Sequence, residues 1–237
     1  MRPTGIDQLR SVDAAQFPIL IGIHSIWMGM AKAIQSGLQG RIEYVRMRII
    51  SGKYRSRPLR ALAGLDIRPT SDRLRETLFN VLTAGAPGAL DGKAWLDLYA
   101  GTGAVGIEAL SRGAGLVTFV EKTKQAARAI RENLKSLEIK DGADVIEQDV
   151  LKALPQLQGP YDYCFFDPPY RMEGQYEGVL RAISELNVIK AGGIVIAEHD
   201  KRFDPGDGVG EVKRYRTLLQ GDAGLSFYRV GGDPTDE

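Results

Sequence analysis

The sequence predicts an α/β protein built on one doubly wound, seven-stranded, mostly parallel sheet. An antiparallel hairpin closes the C-terminal side of the sheet, and a small basic β-hairpin stands in front of it. Three observations lead there. Apolar runs of strand length alternate with helical segments between residues 69 and 231. A glycine-rich turn follows the first of those strands, and two strand-like runs joined by Gln220-Gly221-Asp222 end the series. A chain of 237 residues with 43% hydrophobic and 26% charged composition suits one such domain with small attachments.

The elements follow in order. Residues 1–46 show neither strand alternation nor a well-capped helix and form a separate extension, either disordered or the product of a start assigned too far upstream. Residues 47–68 form the basic hairpin, with Arg48-Ile49-Ile50, a turn at Ser51-Gly52-Lys53, and a return from Tyr54 to Leu62. Residues 69–231 form the main domain, and 232–237 are a tail. Thr70 or Ser71 can cap a helix carrying Leu74, Leu78, Val81 and Leu82 at helical spacing, ending at Gly85. Strands at 94–100, 116–121, 143–148, 161–167 and 193–198 then alternate with helices at 103–112, 124–137, 150–157 and 176–186. The 161–167 run is nearly all apolar, as a strand buried on both faces must be. Strands near 212–218 and 225–230 make the closing hairpin.

Composition excludes several functions. The lone cysteine, Cys164, allows no intrachain disulfide and no cysteine-cluster metal site, and its apolar surroundings predict a core thiol. His24 and His199 are too far apart for zinc-ligand spacing, so no metal is expected. The longest apolar stretch, Phe17 to Ile34, is too polar for a membrane span, and the acids Asp7 and Asp13 spoil it as a signal peptide. A cytoplasmic protein without membrane contact, and a monomer, is expected. The net charge of +1 hides an asymmetry. Arg48, Lys53, Arg55, Arg57, Arg60, Arg68, Arg73 and Arg75 crowd a stretch whose acids are Asp66 and Asp72. That block suits a polyanion, with a solvated basic face as the alternative.

The turn after the first strand reads Asp97-Leu98-Tyr99-Ala100-Gly101-Thr102-Gly103-Ala104-Val105-Gly106. Gly101, Gly103 and Gly106 match dinucleotide spacing, a weak signal alone. Asp97 changes the reading, because a carboxylate there repels pyrophosphate and attracts a ligand bearing an ammonium and a sulfonium. A charged hydrogen bond of that kind is worth roughly 1.5–3 kcal/mol. Glu121, ending the second strand, can accept ribose hydroxyls, and Asp149, past the third, can accept from an adenine amine. Singly, each is equally a solvated strand end; with the glycine loop they describe a nucleoside pocket.

Asp167-Pro168-Pro169-Tyr170 follows the fourth strand at the same sheet edge. The exocyclic amine of a base is a poor nucleophile, since its lone pair is delocalised into the ring. Acceptors aimed at its protons, here the Asp167 carboxylate and the Pro168 carbonyl, help free that pair. Proline fixes φ and offers a carbonyl with no competing N–H. Tyr170 can stack on the base for roughly 1–3 kcal/mol. A plain strand-ending turn is the alternative.

The run Met47-Arg48-Ile49-Ile50-Ser51-Gly52 with Arg57-Pro58-Leu59, the run from Arg68 to Asn80, the Asp97–Gly106 loop, Glu108 to Gly113, and Asp167–Tyr170 together resemble the bacterial 16S rRNA (guanine(966)-N(2))-methyltransferase (RsmD) family. The resemblance covers about residues 47–231; Arg68-Pro69-Thr70-Ser71-Asp72-Arg73-Leu74-Arg75-Glu76 is its most family-specific part. It implies a class I methyltransferase fold (Rossmann-like), S-adenosylmethionine as cofactor, and N2 of a guanine in 16S ribosomal RNA, naked or in the assembling small subunit, as acceptor. By position, Asp97 and Ala100 to Gly103 with Gly106 would hold the methionine part. Glu121 would hold the ribose, Asp149 the adenine, and Asp167 to Tyr170 the target base. Arg48, Lys53, Arg55, Arg57, Arg68, Arg73 and Arg75 would face RNA, with a salt slope of about 0.7 per neutralised phosphate. Rival readings are a DNA adenine-N6 methyltransferase, for which no target-recognition domain fits, and a non-catalytic RNA-binding assembly factor. A protein glutamine methyltransferase would carry Asn where Asp167 stands, and a nicotinamide dehydrogenase leaves Asp97 unexplained.

Overall fold

The computed structural model describes residues 47–60, 70–169 and 172–231. The expectations for the leading extension, for Arg68, for Tyr170 and for the tail fall outside those residues. Strands β1 (Met47–Arg48) and β2 (Pro58–Leu59) pair antiparallel, Met47 opposite Leu59. The ladder is shorter than the sequence predicts. Beyond Ile49 the backbone turns away to dock on a helix, and Gly52 takes φ +80° where a Cβ would collide with the Ser111 carbonyl. Only glycine fits there.

Helix α1 (Asp72–Leu82) starts at Ser71, whose Oγ accepts the Leu74 N–H at 3.1 Å. The main domain then runs β3 (Ala94–Leu98), α2 (Ala104–Ser111), β4 (Leu116–Glu121), α3 (Lys124–Ser136), β5 (Ala143–Glu147) and α4 (Val150–Ala153). A single 3₁₀ turn at Leu154–Gln156 leads to β6 (Tyr161–Phe166), α5 (Gly174–Leu186), β7 (Ile189–Asp200), β8 (Gly208–Val209), β9 (Val212–Gln220) and β10 (Ala223–Val230). The sheet order is β5-β4-β3-β6-β7-β10-β9-β8. The first five are mutually parallel, and β10 and β9 run antiparallel beyond β7. Eight strands stand where the sequence predicts seven. The addition, β8, is two residues long and too short to leave a periodic signal.

Strand alternation splits the core between the two faces. On one face Trp95, Phe119, Phe165, Ile196 and Phe227 pack with residues of the hairpin and of α1, α2 and α3. On the other, Leu96, Cys164, Phe166 and Val195 pack with α4 and α5. Cys164 is a buried core thiol. Chain direction reverses its march between β3 and β6, so their carboxyl ends open a crevice, where ligands bind in sheets of this kind.

Candidate active site

Strand β3 ends two residues earlier than the sequence predicts because Tyr99 takes the left-handed conformation, φ +57°. A non-glycine residue there is strained, and such strain clusters at functional sites. Gly101 at +56° and Gly103 at +78° continue the curl into α2. Two carboxylates hold this loop. Asp97 accepts the Gly106 N–H at 2.9 Å, and Glu121 accepts the Gly101 N–H at 3.0 Å. Glu121 also accepts from the backbone and hydroxyl of Thr123, both at 2.7 Å. A Cβ at Gly106 would meet Phe119 at 2.4 Å, so glycine here lets α2 lie close against the sheet. Thr102 is buried, and its carbonyl accepts from the Asn133 amide at 3.0 Å. Asp149 precedes α4 and pairs with Lys122 at 3.2 Å. Burial and the nearby Asp149 charge push the Tyr99 phenol above its ordinary value. The Tyr99 hydroxyl donates to Gln175 on α5 at 2.8 Å.

Asp167 leaves the end of β6 partly exposed, with Pro168 buried and Pro169 exposed. The Pro169 carbonyl accepts the Met172 N–H at 2.8 Å. Asp97 on β3 stands two residues past Trp95, so alternation directs it to the face that carries α1, and Asp167 follows the last residue of β6. Glu198 on β7, two past Ile196, shares that face. Its carboxylate accepts the Thr70 hydroxyl at 2.7 Å. Burial, then the Glu198 and Asp97 charges, push the Asp167 carboxyl well above the usual carboxylate range. Asp97, 1% exposed, is raised to about 8 by burial and by Glu121, against the lowering effect of its Gly106 hydrogen bond. Glu198 escapes notice in the sequence although it ends a predicted strand as Glu121 does. That shared position is the signal that could have found it.

The basic residues divide. Arg48, Lys53, Arg55, Arg57 and Arg73 are exposed, Arg57 donating to the Ser136 carbonyl at 2.9 Å. Arg75 does not face outward, and this corrects its assignment to RNA. At 0% exposure it donates to the Arg48 carbonyl at 2.6 Å and to Asp72 at 2.9 Å, and its Nε lies 3.8 Å from Glu108. Helical spacing carries it inward: it follows the core residue Leu74 and stands three before Leu78, while Arg73 lies on the outer side.

Clustered acids below the left-handed loop suit a cationic nucleoside. S-adenosylmethionine, with an ammonium and a sulfonium, supplies the charge that this carboxylate cluster lacks. A parallel sheet that ends in an antiparallel pair, with this crevice at its carboxyl edge, defines a class I methyltransferase. A family described as conserved hypothetical protein 95 matches residues 47–229, and the chain belongs to it. The Bacillus subtilis protein YlbH is 35% identical over 189 residues, covering 78% of this chain and all of YlbH. Ribosomal RNA small subunit methyltransferase D of Haemophilus influenzae is 38% identical over 158 residues, 65% of this chain and 79% of that protein. Among solved structures, the Escherichia coli protein YhhF superposes with a TM-score of 0.68 at 28% identity, covering 79% of this chain and 99% of its own. A Thermus thermophilus hypothetical protein gives 0.64 at 30% identity, over 77% of this chain and 99% of its own.

Proposed function

We propose that this chain transfers a methyl group from S-adenosylmethionine to the exocyclic N2 amine of one guanine in small-subunit ribosomal RNA, in the cytoplasm where that RNA is assembled. The observation that carries the reading is Asp167, which follows β6 at the carboxyl edge of the sheet, beside β3 and its loop-bound Asp97. Asp97 with residues 100–103 and Gly106 would hold the methionine part, Glu121 the ribose and Asp149 the adenine. The cofactor supplies an electrophilic methyl group on sulfur.

The protein's own part is positioning and electrostatics. Asp167 and the Pro168 carbonyl accept from the target amine and draw its lone pair out of the ring. As the nitrogen becomes cationic in the transition state, Asp167 stabilises that charge and can take the departing proton. The base reaches this crevice flipped out or already unpaired. Exposed Arg48, Lys53, Arg55, Arg57 and Arg73 would hold the phosphates around it, and Arg68 and Tyr170 keep their proposed contacts to phosphate and base.

The test is methyl transfer from labelled donor to small-subunit particles from a strain lacking the enzyme, followed by identification of the base. N2-methylguanine is the expected product. Label on adenine, or no label at all, would reject the reading.

A further inference from the structure

We propose that Glu198 is a base-specificity residue: it accepts the N1–H of the target guanine while its neighbour Asp167 accepts from the N2 amine, an assignment resting on the guanine reading above. The placement comes from the sheet. Strands β6 and β7 pair in parallel with Phe166 opposite Ala197. Continuing that register sets residues 167 and 198 side by side at the carboxyl edge, one strand spacing apart, about 4.8 Å. Glu198, two past the core residue Ile196, lies on the face that carries α1 and is 3% exposed, and its charge reaches Asp167. The Thr70 hydroxyl donates to the Glu198 carboxylate at 2.7 Å and fixes the orientation of the group. Tyr176, from α5, donates to the Glu198 carbonyl at 2.9 Å and fixes the backbone beneath it.

Two acceptors side by side select one base. Guanine alone presents two adjacent donors, the N1–H and the N2 amine, on its Watson–Crick edge. Adenine sets its N6 amine beside the N1 lone pair, and cytosine sets N4 beside N3. Against either of those, Glu198 would point a carboxylate at a lone pair. A flipped base is read by hydrogen bonds to this edge, and a site built to bond a donor rejects an analogue lacking it.

The experiment uses the full chain and a small-subunit ribosomal RNA fragment carrying guanine, 2-aminopurine or adenine at the modified position. 2-Aminopurine keeps the 2-amine but has no proton on N1. Wild type should prefer guanine to 2-aminopurine by roughly ten- to a hundredfold in kcat/KM. Glu198→Gln should bring that ratio toward one, since an amide can donate to the bare N1. Equal use of both bases by wild type, or an unchanged ratio in Glu198→Gln, overturns the proposal. The wild-type comparison decides even if the variant does not fold. Transfer to adenine N6 with none to guanine overturns the guanine reading itself.

Discussion

Two groups of acids lie within this domain, and their surroundings are opposite. Glu108 on α2 is 0% exposed, yet it is fully answered by donors. It pairs with Arg112 at 2.8 Å and lies 3.8 Å from Arg75. It also accepts the Ile50 and Ser51 N–H groups at 2.7 and 2.9 Å. Ser111, one turn on, accepts from the Tyr54 N–H at 2.9 Å and donates to the Ser51 carbonyl. Together these bonds fasten the basic hairpin to the helix that follows the glycine loop. Asp97 and Asp167 are held the other way: the charges acting on them are those of other carboxylates, Glu121, Glu198 and Asp97 itself. A compensated buried acid is architecture. An acid cluster that burial and neighbouring carboxylates hold above the ordinary range is a site built for something positive, and that contrast separates the two roles more sharply than burial alone does.

Removing the compensated acid should have the largest effect. Glu108→Ala leaves the Arg75 guanidinium buried with only Asp72 as counter-ion, and it orphans two hairpin N–H groups. Breaking a buried pair from one side costs about 3–5 kcal/mol. Chemical denaturation should show a loss of that size, and donor binding should survive wherever the protein remains folded. A loss below about 1 kcal/mol would mean that water reaches Glu108 and that the hairpin is held by its apolar residues alone.

Removing an acid from the crevice should have the reverse sign on stability. Asp167→Asn removes a carboxyl that burial and its acidic neighbours hold above its ordinary range, so the ligand-free protein should melt about 2–4 °C higher for each kcal/mol relieved. Turnover should fall on the order of 10²–10³-fold, the usual cost of removing one group that stabilises transition-state charge. Stabilisation with loss of activity is the expected trade where a site is strained for function. If Asp167→Asn neither stabilised the protein nor slowed it, the cluster would not be a reaction site.

How much of this was legible in the sequence depends on the kind of information each residue carries. Strand and helix order could be read because apolar period and turn chemistry are local. The glycine loop and Asp167 could be read because their chemistry is consecutive. Arg75 could not be assigned correctly, because eight basic residues in one stretch look alike until a helix turns one of them inward. What answers its charge, Glu108, lies 33 positions away in the chain (108 − 75). Glu198 was hidden for a related reason. Its partner Thr70 is 128 positions distant, and its neighbour Asp167 meets it only through the pairing of β6 with β7. The two-residue β8 had no period to show. Long-range pairings between polar groups are what the sequence left unread.

The smallest effect concerns protons. Asp97 is raised to about 8 in the folded chain, against an ordinary value of 3.8. The native state therefore holds a proton that the unfolded state has lost, and its stability declines as pH rises from about 4 toward 8. A ligand bearing an ammonium prefers the ionised carboxylate. Below about pH 8 its binding must expel the proton, so affinity for S-adenosylmethionine should climb with pH by up to about tenfold per unit. Titration between about pH 6.0 and 7.5 stays below the donor's own amine, near 7.7–8.0 for an α-amino group. Calorimetry in buffers of different ionisation enthalpy should show up to one proton released, with release shrinking as pH approaches 8. Methylthioadenosine, which has neither ammonium nor sulfonium, should bind with little pH dependence over the same range. Equal slopes for the two ligands would mean that Asp97 does not meet the ammonium, and the contrast between the two sets of acids would then rest on Asp167 alone.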